Sequence, residues 1–351
     1  MPCAPPTGPS RVRRGRMNAM IHGKETYPAD RGVFGLQVLG HATADAQTAD
    51  AVLMVRPASF GWNPQTQASN RFQRDEPGLA GAANERARAE FDALALQLRA
   101  AGIAVSVAAD VATPVCPDAI FPNNWVSLHA DGTVVLYPML ARNRRLERRL
   151  ELITGLATGS GRRIHRLLDL TQHELHGRFL EGTGSIVFDH VRHIAYACLS
   201  PRTHPEPLAE LCDELGYAPC VFTATDAAGV PIYHTNVMLA IGSRCCVVAA
   251  SAIDARDRER VLSSLAAAGR HVETIDALQM AGFAGNVLEL HAADTGGVLA
   301  MSATAHASFG PAAIERLAAT VNRIVAAPIP TIETLGGGSV RCMLAEVFLP
   351  H

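Results

Sequence analysis

Near the C-terminus, Gly336-Gly337-Gly338-Ser339-Val340-Arg341-Cys342 sets a thiol just behind three glycines. Consecutive glycines reach positive φ and bring backbone close to a ligand, so a tight turn can present Cys342. An unperturbed thiol titrates at about 8.5 and is mostly protonated at neutral pH. Nucleophilic chemistry here would need help from Arg341, a neighbouring imidazolium or a cationic substrate. Tyr233-His234-Thr235-Asn236 opens the strand-like run 237–241 and offers an imidazole as general acid and base. Leu180-Glu181-Gly182-Thr183-Gly184-Ser185 places an acid among glycines ahead of a short apolar run, able to orient a histidine or hold a nitrogen-rich group. Finally, Asp118, Asn123, Asn124 and Trp125 crowd residues 117–125, joining an acid and two amides that can each donate and accept. Each motif alone also has an ordinary reading: a buried structural cysteine, one histidine of fourteen, a solvated turn glutamate and a Pro-Asn-Asn turn.

The elements that must carry these residues recur along the chain. Helical patterns run over 85–100 with Asn84 as N-cap and Gly102 as stop, and from about 144 with Leu146, Leu150, Ile153 and Leu156 on one face. Others cover 207–215 ending at Gly216, 254–269, and the stretch after Pro311 with Ile314, Leu317, Val321 and Ile324 as its stripe. Their starts lie roughly 50 to 60 residues apart, which suggests a repeat. Between them fall β-rich runs at 52–55, 134–137, 186–188, 237–241, 245–249, 287–290 and 298–301. Strands alternating with single helices imply an α/β fold, and five such units imply one closed, pseudo-symmetric domain. A doubly wound sheet is the alternative, but no G-x-G-x-x-G follows a strand and opens a helix.

Composition narrows the class. The 351 residues are 48% hydrophobic and 18% charged with a formal net charge of −2, so no global field favours nucleic acid or an anionic membrane. No apolar run approaches the roughly 18 to 20 residues of a membrane span, so a soluble protein is expected. Residues 1–20 carry Arg11, Arg13, Arg14 and Arg16 without the apolar stretch of a secretory signal, and read as a disordered tail or as sequence ahead of a start at Met17 or Met20. Eight cysteines without CxxC pairs or a regular framework favour free thiols in the cytoplasm and give no zinc-ligand spacing.

Taken in chain order, Asp118, Glu181, His234 and Cys342 resemble the active-site order of the pentein superfamily, which includes arginine deiminase, dimethylarginine dimethylaminohydrolase and the amidinotransferases. The resemblance covers roughly residues 48–351 and implies a five-bladed ββαβ propeller as a single catalytic domain, with 1–47 as an N-terminal extension. It implies Cys342 as nucleophile, His234 as general acid and base, Glu181 as partner of that histidine, and Asp118 as holder of the substrate's planar head. Arg202 in 200–203 and Arg144 in 143–145 are similar to arginines that bind an α-carboxylate in relatives, a role suited to a guanidinium fork.

Two departures bear on the substrate. Asn123-Asn124 stand where dimethylarginine hydrolases carry acids, and Asn236 stands where arginine deiminases carry an aspartate. Amides there leave a buried cation unbalanced and suit a neutral ureido group. The stretches MVRPASFGWNPQT, FPNNWVSLHADG, LEGTGSIVFDH, YHTNVM and GGGSVRCMLAEVFLP are likewise similar to citrulline hydrolases, which implies conversion of citrulline to ornithine, carbon dioxide and ammonia. The alternatives are an arginine deiminase or dimethylarginine hydrolase, and a non-catalytic pentein acting as a binding protein. No metal or organic cofactor is expected. The only partner implied is a small amino-acid substrate, with a homo-oligomer left open.

Overall fold

The structure is a computed structural model that describes Met1 and residues 46–351. The N-terminal extension read over 1–47 therefore lies, apart from Met1, Ala46 and Gln47, outside the described residues. From Ala46 onward the chain forms five three-stranded sheets, each built the same way. In each, a central strand runs antiparallel to a first strand and parallel to a third. Sheet two takes Val126–Leu128, Thr133–Leu136 and Arg166–Asp169; sheet three takes Ile186–Asp189, Ile194–Cys198 and Ala218–Phe222. Sheet four uses Leu239–Ile241, Cys245–Val248 and His271–Thr274, and sheet five uses Leu288–Ala292, Gly296–Ser302 and Arg323–Ala327. Sheet one pairs Ala51–Arg56 with Ala104–Ala109 but borrows its first strand, Ala345–Glu346, from the end of the chain. This is the five-unit ββαβ arrangement the repeat suggests.

Parallel strands need a crossover, and a helix supplies it between the second and third strand of every sheet. These are Ala83–Ala100, Leu150–Ser160, Pro205–Leu215, Ala255–Ala266, and the pair Ala303–Phe309 and Pro311–Ala318. The first buries Ala87, Phe91, Leu94 and Leu98, spaced by three or four residues, against Val52 and Met54 of its own sheet. Each such Leu or Phe contributes about 1.5–3 kcal/mol on leaving water.

Several boundaries differ from the sequence pattern for local reasons. Asn84 lies inside its helix, and Ala82 is the N-cap. The Asn84 amide instead donates to Ala58 O (2.8 Å) and accepts from Phe60 N–H (2.9 Å), tying down the loop after the first strand. The helix expected from Arg144 begins at Leu150, because a buried ion pair between Arg144 and Glu147 occupies a separate 3₁₀ turn, Asn143–Glu147. Leu146 and Leu150 consequently face outward. The stripe through Val321 and Ile324 outruns its helix, which stops at Ala318; Ile324 already lies in the next strand. Val237 belongs to a 3₁₀ turn, Thr235–Val237, and the strand starts only at Leu239. Among the described residues, no helix is long and apolar enough to cross a membrane.

Two buried histidines sit just beyond first strands. His129 Nε2 bonds Ser127 Oγ (2.7 Å), and His190 Nδ1 bonds Tyr217 Oη (2.7 Å). Burial pushes His129 down to about 4 and His190 to about 3 from an ordinary 6.5. The unfolded chain binds these protons from about pH 6.5 downward while the native state does not, so the stability present above pH 6.5 is lost as pH falls towards 4. Urea denaturation at stepped pH should show a steep loss of stability across that window, and His129→Gln with His190→Gln should flatten it.

Candidate active site

Cys342, His234, Glu181 and the two amides at 123–124 lie on or beside turns that enter the first strands of the sheets, whereas Arg144 and Arg202 follow second strands. A 3₁₀ turn Pro122–Asn124 precedes Val126, a helical turn Gly182–Ser185 precedes Ile186, Thr235–Val237 precedes Leu239, and Val340–Met343 precedes Ala345. Sheet five contributes Asn286, two residues before Leu288. Turns of sequence-distant motifs thus meet because their strands are neighbours.

Cys342 is 3% exposed. Its Sγ lies 3.2 Å from Asn286 Nδ2 and 3.6 Å from Asn236 Nδ2. His234 and Glu181 are buried, with His234 Nε2 2.8 Å from Glu181 Oε2. Burial alone would raise Glu181, but Arg202 and His234 outweigh it and hold the carboxyl far below its usual range. Burial drives His234 down to about 4 against the pull of Glu181. The ring is therefore neutral at pH 7 beside an ionised acid. A carboxylate only accepts, so the ring proton sits on Nε2 and Nδ1 keeps its lone pair. That is the state of a general base.

Asp118 is buried. Its Oδ2 accepts from Asn63 Nδ2 (2.7 Å) and Thr66 Oγ1 (3.3 Å) and lies 3.8 Å from Arg144 Nε, while Oδ1 has no protein partner. Arg144 donates to Glu147, to Asn124 Oδ1 (2.7 Å) and to the carbonyls of Asp118 and Phe121. Arg202 donates to Glu181 Oε2 (3.2 Å), Ser69 Oγ and Thr66 O, and its guanidinium lies 5.0 Å from the Tyr233 ring centroid. Tyr233 Oη in turn donates to Gly337 O at 2.9 Å, so the glycine loop is braced from beneath. Burial pushes Asp118 up despite Arg144, and pushes Glu147 up to about 7 against the same arginine. Three buried carboxylates, Asp118, Glu147 and Glu181, face two guanidiniums, Arg144 and Arg202.

Asp118, Asn124, Arg144, Arg202, His234 and Cys342 line one narrow cavity, walled also by Tyr233 and 336–338. Asn123 does not line it; its Nδ2 points to Thr183 Oγ1 at 3.3 Å. Every nitrogen of Arg144 and Arg202 already has a protein acceptor, so as placed both arginines brace the site's acids. Arg341, expected to assist Cys342, is paired with Glu346 at 3.1 Å. Sequence reading named none of Asn63, Thr66, Glu147 and Asn286 as site residues, although Asn63 and Thr66 lie in the stretch MVRPASFGWNPQT and Asn286-Val287 repeats Asn236-Val237 ahead of a first strand. Among the described residues no cluster of His, Cys, Asp or Glu could hold a metal ion.

Five three-stranded mixed sheets built alike are the five-fold pentein propeller. Residues 56–349 match the family model described as N,N dimethylarginine dimethylhydrolase, eukaryotic, and the chain belongs to that family. Among solved structures it is similar to ArgZ, an arginine dihydrolase from the ornithine-ammonia cycle in cyanobacteria, at 18% identity and TM-score 0.67. That likeness covers 86% of this chain and 41% of ArgZ; against the N-terminal domain of ArgZ bound to substrate it covers 98% of that domain, at 17% identity and TM-score 0.64. A dimethylarginine dimethylaminohydrolase adduct with 4-chloro-2-hydroxymethylpyridine is similar at 14% identity and TM-score 0.57, covering 85% of this chain and 99% of that one. No curated protein matches.

Gly184 tests how tightly the turns are packed. A Cβ there would lie 2.4 Å from Asn124 Nδ2 and 2.8 Å from His234 Cε1 and Nδ1. Gly184→Ala should lower kcat/KM by about a hundredfold, the size of effect that a displacement of about 1 Å can cause. Gly159→Ala, where a Cβ meets open space, should leave it unchanged.

Proposed function

We propose that the protein hydrolyses a C–N bond in the guanidino head of an arginine-type amino acid, with Cys342 as nucleophile and His234 as general base and acid. One observation carries this reading. Two guanidiniums face three buried carboxylates, and the Oδ1 of Asp118 stands without a partner in the cavity that Cys342 and His234 share. An incoming guanidinium completes the charge balance and supplies N–H groups to that oxygen. The amides at 123, 124 and 236 suggested a neutral site, but that count omitted Glu147. Relatives described as an arginine dihydrolase and as dimethylarginine hydrolases support the guanidino head over the ureido one.

In the proposed sequence, His234 Nδ1 takes the thiol proton as Sγ bonds to the central guanidino carbon. The tetrahedral adduct collapses, its C–N bond breaks, and the imidazolium gives its proton to the departing amine. Water then attacks the thiouronium carbon, His234 accepts its proton, and the C–S bond breaks to return the thiol and a ureido product. Glu181 keeps the ring oriented and its Nε2 protonated throughout.

A ureido substrate is the second reading, and one donor favours it. Asn124 Nδ2 is buried without a partner, and Arg144, which only donates, fixes the amide oxygen towards itself and the nitrogen away. A ureido carbonyl satisfies that N–H, whereas a guanidinium has no acceptor. A neutral head would leave one proton on the Asp118 and Glu147 carboxyls.

Incubation with arginine, N-methylated arginines and citrulline, each followed for amine, ammonia, citrulline and ornithine, separates the readings. Release of amine from a guanidino substrate is expected, and turnover confined to citrulline would transfer the assignment to the ureido reading. Cys342→Ala should lose turnover on all of them; near-parental activity in that variant would end the nucleophile assignment. Asp118→Asn should raise KM for a cationic substrate by about ten- to a hundredfold, the range for losing a charged hydrogen-bond partner.

A further inference from the structure

We propose that Asn286 is a further catalytic residue, whose side-chain amide donates to the sulfur of Cys342 and holds it as the attacking thiolate. The inference rests on Cys342 being the nucleophile and assigns what activates it.

Asn286 is fully buried, and its Nδ2 lies 3.0 Å from the backbone carbonyl of Asn236 and 3.2 Å from Cys342 Sγ. A carbonyl oxygen only accepts, so the nitrogen end of the amide must face Asn236, which fixes the orientation without reference to sulfur. One N–H is spent on that carbonyl, and the second has Sγ within reach. The Oδ1 of Asn286 has no protein partner, so the side chain is not there to complete a polar network of its own. Its position is fixed by close backbone packing: a Cβ on Gly285 would lie 2.3 Å from Val237 O. Asn236 adds a second amide nitrogen at 3.6 Å from the same sulfur.

His234 removes the proton in the proposed reaction, and the arginines that could then offset the charge left on sulfur are committed elsewhere. Arg341 is paired with Glu346, Arg202 with Glu181, and Arg144 with Glu147. A buried thiolate with amides as its hydrogen-bond partners depends on those N–H groups, because bonds to an ionised acceptor are roughly twice as strong as neutral ones. Asn236 and Asn286 stand at equivalent places in adjacent sheets, each just ahead of a first strand, so the ring's symmetry delivers both amides to one point.

The full chain is compared with Asn286→Asp, Asn286→Leu and Asn286→Ser, with Cys342→Ala as reference. Alkylation of Cys342 by iodoacetamide is followed against pH by mass spectrometry, alongside kcat and KM. In Asn286→Asp and Asn286→Leu the labelling midpoint should rise by at least about one pH unit and kcat should fall about ten- to a hundredfold with KM nearly unchanged. Asn286→Ser, smaller and still a donor, should fall between. Labelling is read only in variants that elute and melt like the parent, and the serine variant alone suffices if the larger replacements fail to fold. A parental labelling profile and kcat in every folded variant would overturn the role of Asn286. Retention of activity in Cys342→Ala would instead remove the nucleophile assignment on which it rests.

Discussion

The short antiparallel pairing of Val52 with Glu346 and Leu53 with Ala345 closes the ring, and the placement of the Cys342 sulfur depends on it. Cys342 stands three residues before Ala345, on a turn whose exit direction is set by that pairing, by Val347 N–H to Ala51 O at 2.9 Å, and by the bridge from Val347 to Leu128 of the next sheet. A strand of two residues cannot hold itself in place. It is held because its neighbours are already a sheet on one side and the start of another on the other. The site is therefore a property of the closed ring, and local opening of its last strand would disperse the turn that carries Cys342 while the crossover helices stay packed.

Closure also explains where the charges went. Arg144 and Arg202 come from loops that the sequence alone leaves free to reach a substrate, yet the ring buries both among acids. Removing one partner from a buried, hydrogen-bonded ion pair leaves an uncompensated charge at a cost of about 3–5 kcal/mol. Glu147 therefore holds Arg144, and Glu181 holds Arg202 while it orients His234. The two arginines reach the site through the acids and amides they fix. Asn124 is the clearest case, since the Arg144 guanidinium decides which end of its amide faces the cavity.

Much of this was legible from motifs, and the remainder was not for identifiable reasons. Four polar positions in chain order and a helical repeat were enough to anticipate a ring of five ββαβ units, because each of these polar groups has glycine or Asn near it in the sequence. The third strands were missed: Ala104–Ala109, Arg166–Asp169 and His271–Thr274 are half exposed at sheet edges, and their side chains do not alternate cleanly. Glu147 looked like an ordinary charge in an Arg-rich helix. Its role appears only when the 3₁₀ turn brings it back onto Arg144. Asn286 sits between a short helix and a strand with no motif beside it, and only its equivalence to Asn236 marks it.

The choice of substrate head and the activation of the sulfur are one problem. A guanidinium entering beside Asp118 brings positive charge to Cys342, so the substrate itself would favour the thiolate, and His234 need only receive a proton. A neutral ureido group brings no charge. With that substrate the thiolate would depend wholly on donors already in the protein, and the donors at hand are the amides of Asn236 and Asn286. An aspartate in place of Asn236 would repel the thiolate and need a cation to offset it. An asparagine there would lower that requirement, and on the proposed reading would widen the range of heads the thiol could attack. Of the amides that first suggested a neutral substrate, Asn236 thus has a second physical meaning on the proposed reading: with Asn286 it would stabilise the nucleophile, while Asp118 and its unpartnered oxygen would recognise the head.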